Sequence, residues 1–179
     1  MIARGVVPLS LREYLRNKAA AMKSHAGRFA SGDAVREAIA AECLADDSTG
    51  VRRVHIRDFQ FVSDSGPGFG GKNLGPSSPE LLLGVLASCL THTYLIGAAS
   101  KGLQLDSVRV RMEADNNDAG FLGLMTADPS YPFNIRAYVH LESPENDDQL
   151  SALHEYAATT CPLTRLIREP ATVTILIEA

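Results

Sequence analysis

No run of lysine and arginine long enough to track a phosphate backbone occurs in the 179 residues, and the formal net charge is only −4. A small charge spread along the chain argues against nucleic acid as a partner. The opening segment, MIARGVVPLSLREYL, lacks the apolar centre of a secretory signal, and no stretch is expected to span a bilayer. A cytoplasmic protein with no membrane partner is the expectation. Cysteine is scarce as well. Cys43, Cys89 and Cys161 cannot all pair within one chain, and a reducing compartment disfavours a structural disulfide framework. Any disulfide among them is expected to be transient and catalytic. Internal repeats and low-complexity tracts are missing too. What remains, 45% hydrophobic and 21% charged residues, is the composition of one globular domain.

Ser10 to Glu13 spells a capping box, and Leu11, Tyr14, Leu15, Ala19 and Met22 follow at helical spacing, which predicts an amphipathic helix ending near Gly27. Between Asp33 and Leu44 the alanines favour helix while Val35, Ile39, Ala41 and Cys43 also fit an alternating face, so local sequence leaves both open. After the turn signal Asp46 to Gly50, Val54 and Ile56 alternate, the phase slips at Asp58, and Phe59 and Phe61 take over. That pattern predicts a bulged strand or two short ones.

A loop rich in Gly, Pro and Ser, from Ser63 to Ser78, leads into an apolar helix with Ser78 as cap and Pro79 at its first position, stopped by Gly102. This helix is expected to be buried on most sides. Strict alternation predicts strands around Val108 to Ala114 and Phe133 to Leu141. Ser143-Pro144 is expected to open a second helix carrying Leu150, Leu153, Ala157 and Cys161 on one face. Pro162 then places Cys161 at a helix end. A last strand is expected at Val173 to Glu178. This order of elements indicates an α+β fold.

Cys89 lies in mid-helix. Its plain reading is a small buried hydrophobe, because unpaired cysteine is among the most buried residue types. Chemistry would require a thiolate, and an apolar helix interior raises a thiol's pKa. A cation must then come from elsewhere, and Arg52, Arg53, His92 and Arg165 are the candidates. Arg52 shares the parity of Val54 and Ile56, while Arg53 projects from the opposite sheet face. Cys161, at a helix break with backbone N–H groups beyond it, is the more plausible reactive thiol on local grounds, and Cys43 is read as structural. Gly66 to Lys72 matches G-x-x-x-x-G-K, but Asn73 stands where a magnesium-binding hydroxyl is needed and the helix begins too late. Cys89-x-x-His92 is a single pair, so no metal or other cofactor is expected.

The stretch GGKNLGPSSPELLLGVLASCLTHTYLIGAASKGLQLDSVRV, followed by ESPENDDQLSALHEYAATTCPLTRLIREPATVTI, resembles the OsmC-like proteins, with a glycine-rich lead, a Pro-Glu helix start, a central cysteine and a later Cys-Pro. The resemblance covers about Val51 to Ile177. It implies an OsmC-like fold, with antiparallel sheets packed around two central helices in an intertwined homodimer, and it favours a strand within Asp33 to Leu44. Residues 1–30 would be an added helical extension and residues 31–179 the OsmC-like domain.

The same resemblance implies reduction of organic hydroperoxides in oxidative stress defence. Cys89 would become a sulfenic acid, Cys161 would resolve it, and a dithiol such as a lipoyl group would reduce the disulfide. Family peroxidases also use an arginine in a G-R-x-G turn and a glutamate ten residues before the cysteine. Here Ser48 stands in the comparable turn, so Arg52 or Arg53 would substitute, and Glu80 is nine residues before Cys89 (89 − 80). Nine steps of ~100° turn a helix to its opposite side. The alternative is a non-catalytic dimer that binds a small apolar or electrophilic ligand in the interfacial cysteine pocket.

Overall fold

The computed structural model describes residues 10–31 and 36–177. Part of the ambiguous segment from Asp33, together with the end of the expected last strand, lies outside them. Two compact units form, one from Met1–Gly32, Leu86–Met112 and Ala137–Ala179, the other from Asp33–Val85 and Glu113–Arg136.

In the first unit, α1 (Leu11–Ala30) starts at the expected capping box, with Ser10 and Glu13 satisfying each other's backbone N–H. Its apolar stripe puts Leu15 into the core, 3% exposed, and Arg12 fixes its start with both carboxylate oxygens of Asp106, at 2.6 and 2.8 Å. The long apolar helix α2 (Ser78–Lys101) supplies Leu90, Tyr94, Ala98 and Ala99 to the same core, and α4 (Asp147–Thr160) supplies Leu153 and Ala157. After Cys161, Pro162 opens the short helix α5 (Pro162–Arg168). Asn146, not Ser143, caps α4, because Asn146 and Gln149 form a capping box while the Ser143 hydroxyl is taken by the Gln104 carbonyl.

The second unit carries an antiparallel sheet of β1 (Glu42–Ala45), β2 (Arg52–Ile56) and β3 (Phe59–Ser63) in that order. The phase slip at Asp58 is a hairpin: Ile56 faces Phe59, and Arg57 takes φ +54° to make the two-residue turn. β1 pairs Glu42 with His55, so the ambiguous segment ends in a strand. Two further strands, β4 (Ser107–Asp115) and β5 (Phe133–Glu142), pair as the alternation predicts and contribute residues to both units. Between them, residues 116–132 include the single helical turn α3 (Asp118–Phe121).

The glycine-rich loop owes its shape to Asp64. This buried carboxylate accepts the N–H groups of Ser65, Lys72 and Leu74 at 2.7, 3.0 and 3.1 Å. The Leu74 N–H above all holds its pKa below the ordinary carboxylate range, against the opposing effect of desolvation. Gly71 is required there, since a Cβ would lie 2.0 Å from the Ser65 carbonyl oxygen. Backbone donors of the G-x-x-x-x-G-K segment are thus turned onto the protein's own carboxylate and not outward to a phosphate.

Within a single chain α2 buries Leu86, Leu90 and Tyr94 and leaves Val85 51% exposed and Gly84 and Ser88 open to solvent. One chain supplies too little surface to cover an apolar helix all round. By length and composition α2 could cross a membrane, yet its Leu90, Tyr94 and Ala98 side is packed in the core. The expected last strand is not formed within residues 173–177, where Val173, Ile175, Leu176 and Ile177 are 81–99% exposed. A strand needs a partner edge, and its own composition cannot provide one.

Candidate active site

Cys89 comes from the middle of α2 and Cys161 from the junction of α4 and α5. Pro162 disfavours helical geometry at the residue before it, and Cys161 sits at φ −58°, ψ 116°, ending one helix and starting the next. The first N–H groups of a helix lack an intrahelical acceptor. Here the Leu163 N–H meets the Cys89 sulfur and the Thr164 N–H meets the Cys161 sulfur. The two sulfurs are 3.6 Å apart and unbonded. A close crossing of α2 and α4 permits this, for a Cβ at Gly97 would stand 2.6 Å from Tyr156 Cδ1 and 2.7 Å from Leu153 Cδ1.

The two thiols differ in access and acidity. Cys161 is fully buried, whereas Cys89 is only half-buried. Burial pushes the Cys89 thiol up, and the Cys161 sulfur adds to this while the Leu163 N–H opposes it. Burial acts on Cys161 in the same sense, but the N–H and hydroxyl of Thr164, the Thr93 hydroxyl and the Cys89 thiol together outweigh it and bring Cys161 below the ordinary thiol range. Burial thus dominates at Cys89 and the surrounding donors at Cys161, and the first proton is lost from the pair. At 3.6 Å an S–H···S contact lets the remaining proton sit on either sulfur.

The other expected residues are placed as follows. Arg52 directs its Nη1 and Nη2 to the hydroxyls of Ser65 and Ser63, at 3.4 and 3.2 Å, and its buried Nε has no hydrogen-bond partner. Arg53, half exposed, faces Asp46 at 3.7 Å. Glu80 accepts both the N–H and the hydroxyl of Ser77 at 2.7 Å, which caps α2 and lowers the carboxyl pKa. It lies inside the regular helix, so the spacing places it on the side opposite Cys89. Arg165 pairs with Glu169 at 3.2 Å, and Cys43 is an exposed residue of β1.

The sequence profile of the family described as OsmC-like protein matches residues 70–176, more than half of the chain, and spans both cysteines. The chain belongs to the OsmC-like family. Solved structures agree in fold. An OsmC-like protein from Mycoplasma pneumoniae superposes with a TM-score of 0.64 at 15% identity, over 76% of this chain and 91% of that one. An osmotic stress induced and detoxification response protein from Psychrobacter arcticus gives 0.57 at 16%, over 73% and 89%. An organic hydroperoxide resistance protein from Legionella pneumophila gives 0.54 at 17%, over 75% and 92%. No curated protein sequence matches the chain.

Within this OsmC-like chain, sequence reasoning overlooked Thr93 and Thr164. Thr93 stands four residues after Cys89, a spacing that shares a helix face, and donates to the Cys89 carbonyl at 2.9 Å. Thr164 donates to the Cys161 carbonyl at 3.1 Å. The break at Pro162 marked backbone N–H groups beyond Cys161, but not that the Leu163 N–H turns to the Cys89 sulfur. Among the described residues no cluster of His, Cys, Asp and Glu could hold a metal ion.

Proposed function

We propose that this OsmC-like chain reduces organic hydroperoxides with the thiols of Cys89 and Cys161, in defence against oxidative stress. The observation that carries the proposal is the 3.6 Å approach of two unbonded sulfurs of unequal acidity and access. Removal of one proton leaves a single negative charge on the pair. Transfer of the Cys89 proton to Cys161 exposes a thiolate at the sulfur that a peroxide can reach.

Cys89 attacks the terminal peroxide oxygen, an S–O bond forms as the O–O bond breaks, and the alkoxide takes up a proton to leave as alcohol. Cys161 then attacks the Cys89 sulfenic acid, forming the disulfide and releasing water. A disulfide sets the sulfurs about 2.05 Å apart, so closure from 3.6 Å asks for a shift of side chains and not of helices. A dithiol such as a lipoyl group reduces the disulfide. Both arginine candidates lie near carboxylates, Arg53 at Asp46 and Arg52 at Asp64, so neither is preferred as the substitute for the family arginine. Glu80 serves α2 as a cap.

The open face of α2 supports a homodimer, with a second copy covering Gly84, Val85 and Ser88. One equivalent of cumene hydroperoxide should consume two thiols, and peptide mapping should find Cys89 linked to Cys161. Isolated sulfonic acids, or a bridge to Cys43, would refute the mechanism. The raised Cys89 pKa favours a second reading, a non-catalytic dimer that binds a small apolar or electrophilic ligand at the thiols. That reading predicts no peroxide consumption.

A further inference from the structure

Lys18 of α1 directs its ammonium to His92 of α2, with Nζ and Nε2 2.9 Å apart. An ammonium can only donate, so Nε2 accepts and the neutral ring carries its proton on Nδ1. His92 stands three residues after Cys89, a spacing that puts Cβ atoms about 5–6 Å apart on one helix face. We propose that Lys18 and His92 supply the proton that the departing alkoxide takes up at Cys89. The inference rests on the peroxide-reducing reading above and adds to it a source for that proton.

Three observations support this assignment. First, Lys18 is placed by a built contact, since α1 is anchored by Leu15 in the core and by Arg12 on Asp106. Second, no carboxylate pairs with Lys18 among the described residues, and its other neighbour is the ring of Tyr14 at 5.6 Å. A cation spent on a neutral base serves proton transfer better than it serves stability. Third, desolvation and then the Lys18 charge hold the imidazole below its ordinary pKa, so it is neutral at pH 7 and bears the Nδ1 proton. Among the described residues, Lys18 is the charge that acts on this ring. Lys18 of α1 precedes the residues matched by the family profile, and His92 lies within them.

The step balances. Cys89 thiolate forms its bond to the terminal oxygen and is oxidised to sulfenic acid as the O–O bond breaks, and the peroxide is reduced to alcohol. The alkoxide takes the Nδ1 proton while Nε2 takes one from Lys18, and solvent restores the ammonium. Such a relay matters when the leaving group is a poor one, an alkoxide, and is superfluous when the leaving group is a carboxylate.

The test compares cumene hydroperoxide with a peracid, which departs as carboxylate, on the full-length protein, using stopped-flow formation of the Cys89 sulfenic acid across neutral and alkaline pH. Lys18→Met and His92→Gln should slow the alkyl hydroperoxide, by roughly a hundredfold for His92→Gln, and leave the peracid rate unchanged. Lys18→Arg, whose guanidinium still hydrogen-bonds Nε2 but does not give up its proton, should slow the alkyl hydroperoxide as Lys18→Met does and leave the peracid rate unchanged. Unchanged cumene hydroperoxide rates in both variants would overturn the inference, as would equal slowing of both substrates, which signifies an altered thiolate or fold. A parent inert to both oxidants would defeat the peroxidase reading itself, and the proton relay with it.

Discussion

The Cys161 sulfur contacts the Cys89 sulfur across 72 residues of sequence, from a buried helix junction to a half-buried turn of another helix. If this contact resolves an oxidised Cys89, Cys161→Ser should abolish the intramolecular disulfide. Excess hydroperoxide should then drive Cys89 to sulfinic and sulfonic acids, read by intact mass. Cys43→Ser should leave both the disulfide and the rate unchanged.

Acidity of the pair rests on Thr164, whose N–H and hydroxyl together oppose the burial of Cys161. Thr164→Val keeps the N–H and removes the hydroxyl. With a hydrogen bond worth about 1 kcal/mol, the first thiol ionisation should move up by somewhat under one pH unit. The pH dependence of iodoacetamide alkylation, with labelled sites separated by peptide mapping, measures it. Because the groups are coupled, two macroscopic steps are expected, the lower weighted to Cys161 and the upper to Cys89.

Gly97 lets α4 approach α2 closely enough for the sulfurs to meet. Gly97→Ala should destabilise the protein by about 1–3 kcal/mol through overpacking against Leu153 and Tyr156. It should also slow disulfide closure after sulfenic acid formation. Urea unfolding and single-turnover kinetics separate the two effects, and an alanine variant of parent stability would show that Tyr156 swings aside freely.

Val85 sits on the open face of α2. Val85→Asp should weaken a dimer that covers this face by about 3 kcal/mol or more, roughly a hundredfold in affinity. Light scattering at micromolar concentration should then find monomer where the parent is dimer. If the variant dimerises as the parent does, this face is not the interface.

Tyr94 is buried, its hydroxyl 2.6 Å from His154 Nδ1, and burial pushes its pKa up to about 12. A folded-state pKa above the unfolded value of about 10 means the neutral phenol is favoured in the fold. This contribution is complete below pH ~10 and is lost as pH rises towards about 12. Alkaline unfolding should therefore shift to higher pH in Tyr94→Phe, although that variant forfeits about 1 kcal/mol of hydrogen bonding at neutral pH.

Much of this protein is local and therefore legible in its sequence. The Ser10–Glu13 capping box, the alternation along β4 and β5, and the helix break at Cys161-Pro162 each follow from interactions between residues a few positions apart, where a period or a proline is decisive. The two thiols stood out for the same reason, each in its own local context. The cap of α4 was misplaced because Ser143 and Asn146 both suit a cap, and only the claim of the Gln104 carbonyl on Ser143 selects Asn146.

Contacts over long separations were decided by tertiary structure alone. Hydrophobic pattern could not reveal that residues 173–177 have no strand partner, since that depends on whether another edge is available. Parity set Arg52 apart from Arg53, but the environment of each guanidinium, two serine hydroxyls and Asp64 for one and Asp46 for the other, had to come from the folded loop. The acidity difference of Cys89 and Cys161 was legible in part, since an apolar helix interior raises one thiol and the break at Pro162 leaves backbone N–H groups beside the other. That the Leu163 N–H turns to Cys89, and that threonines from two helices join the pair, had to come from the fold.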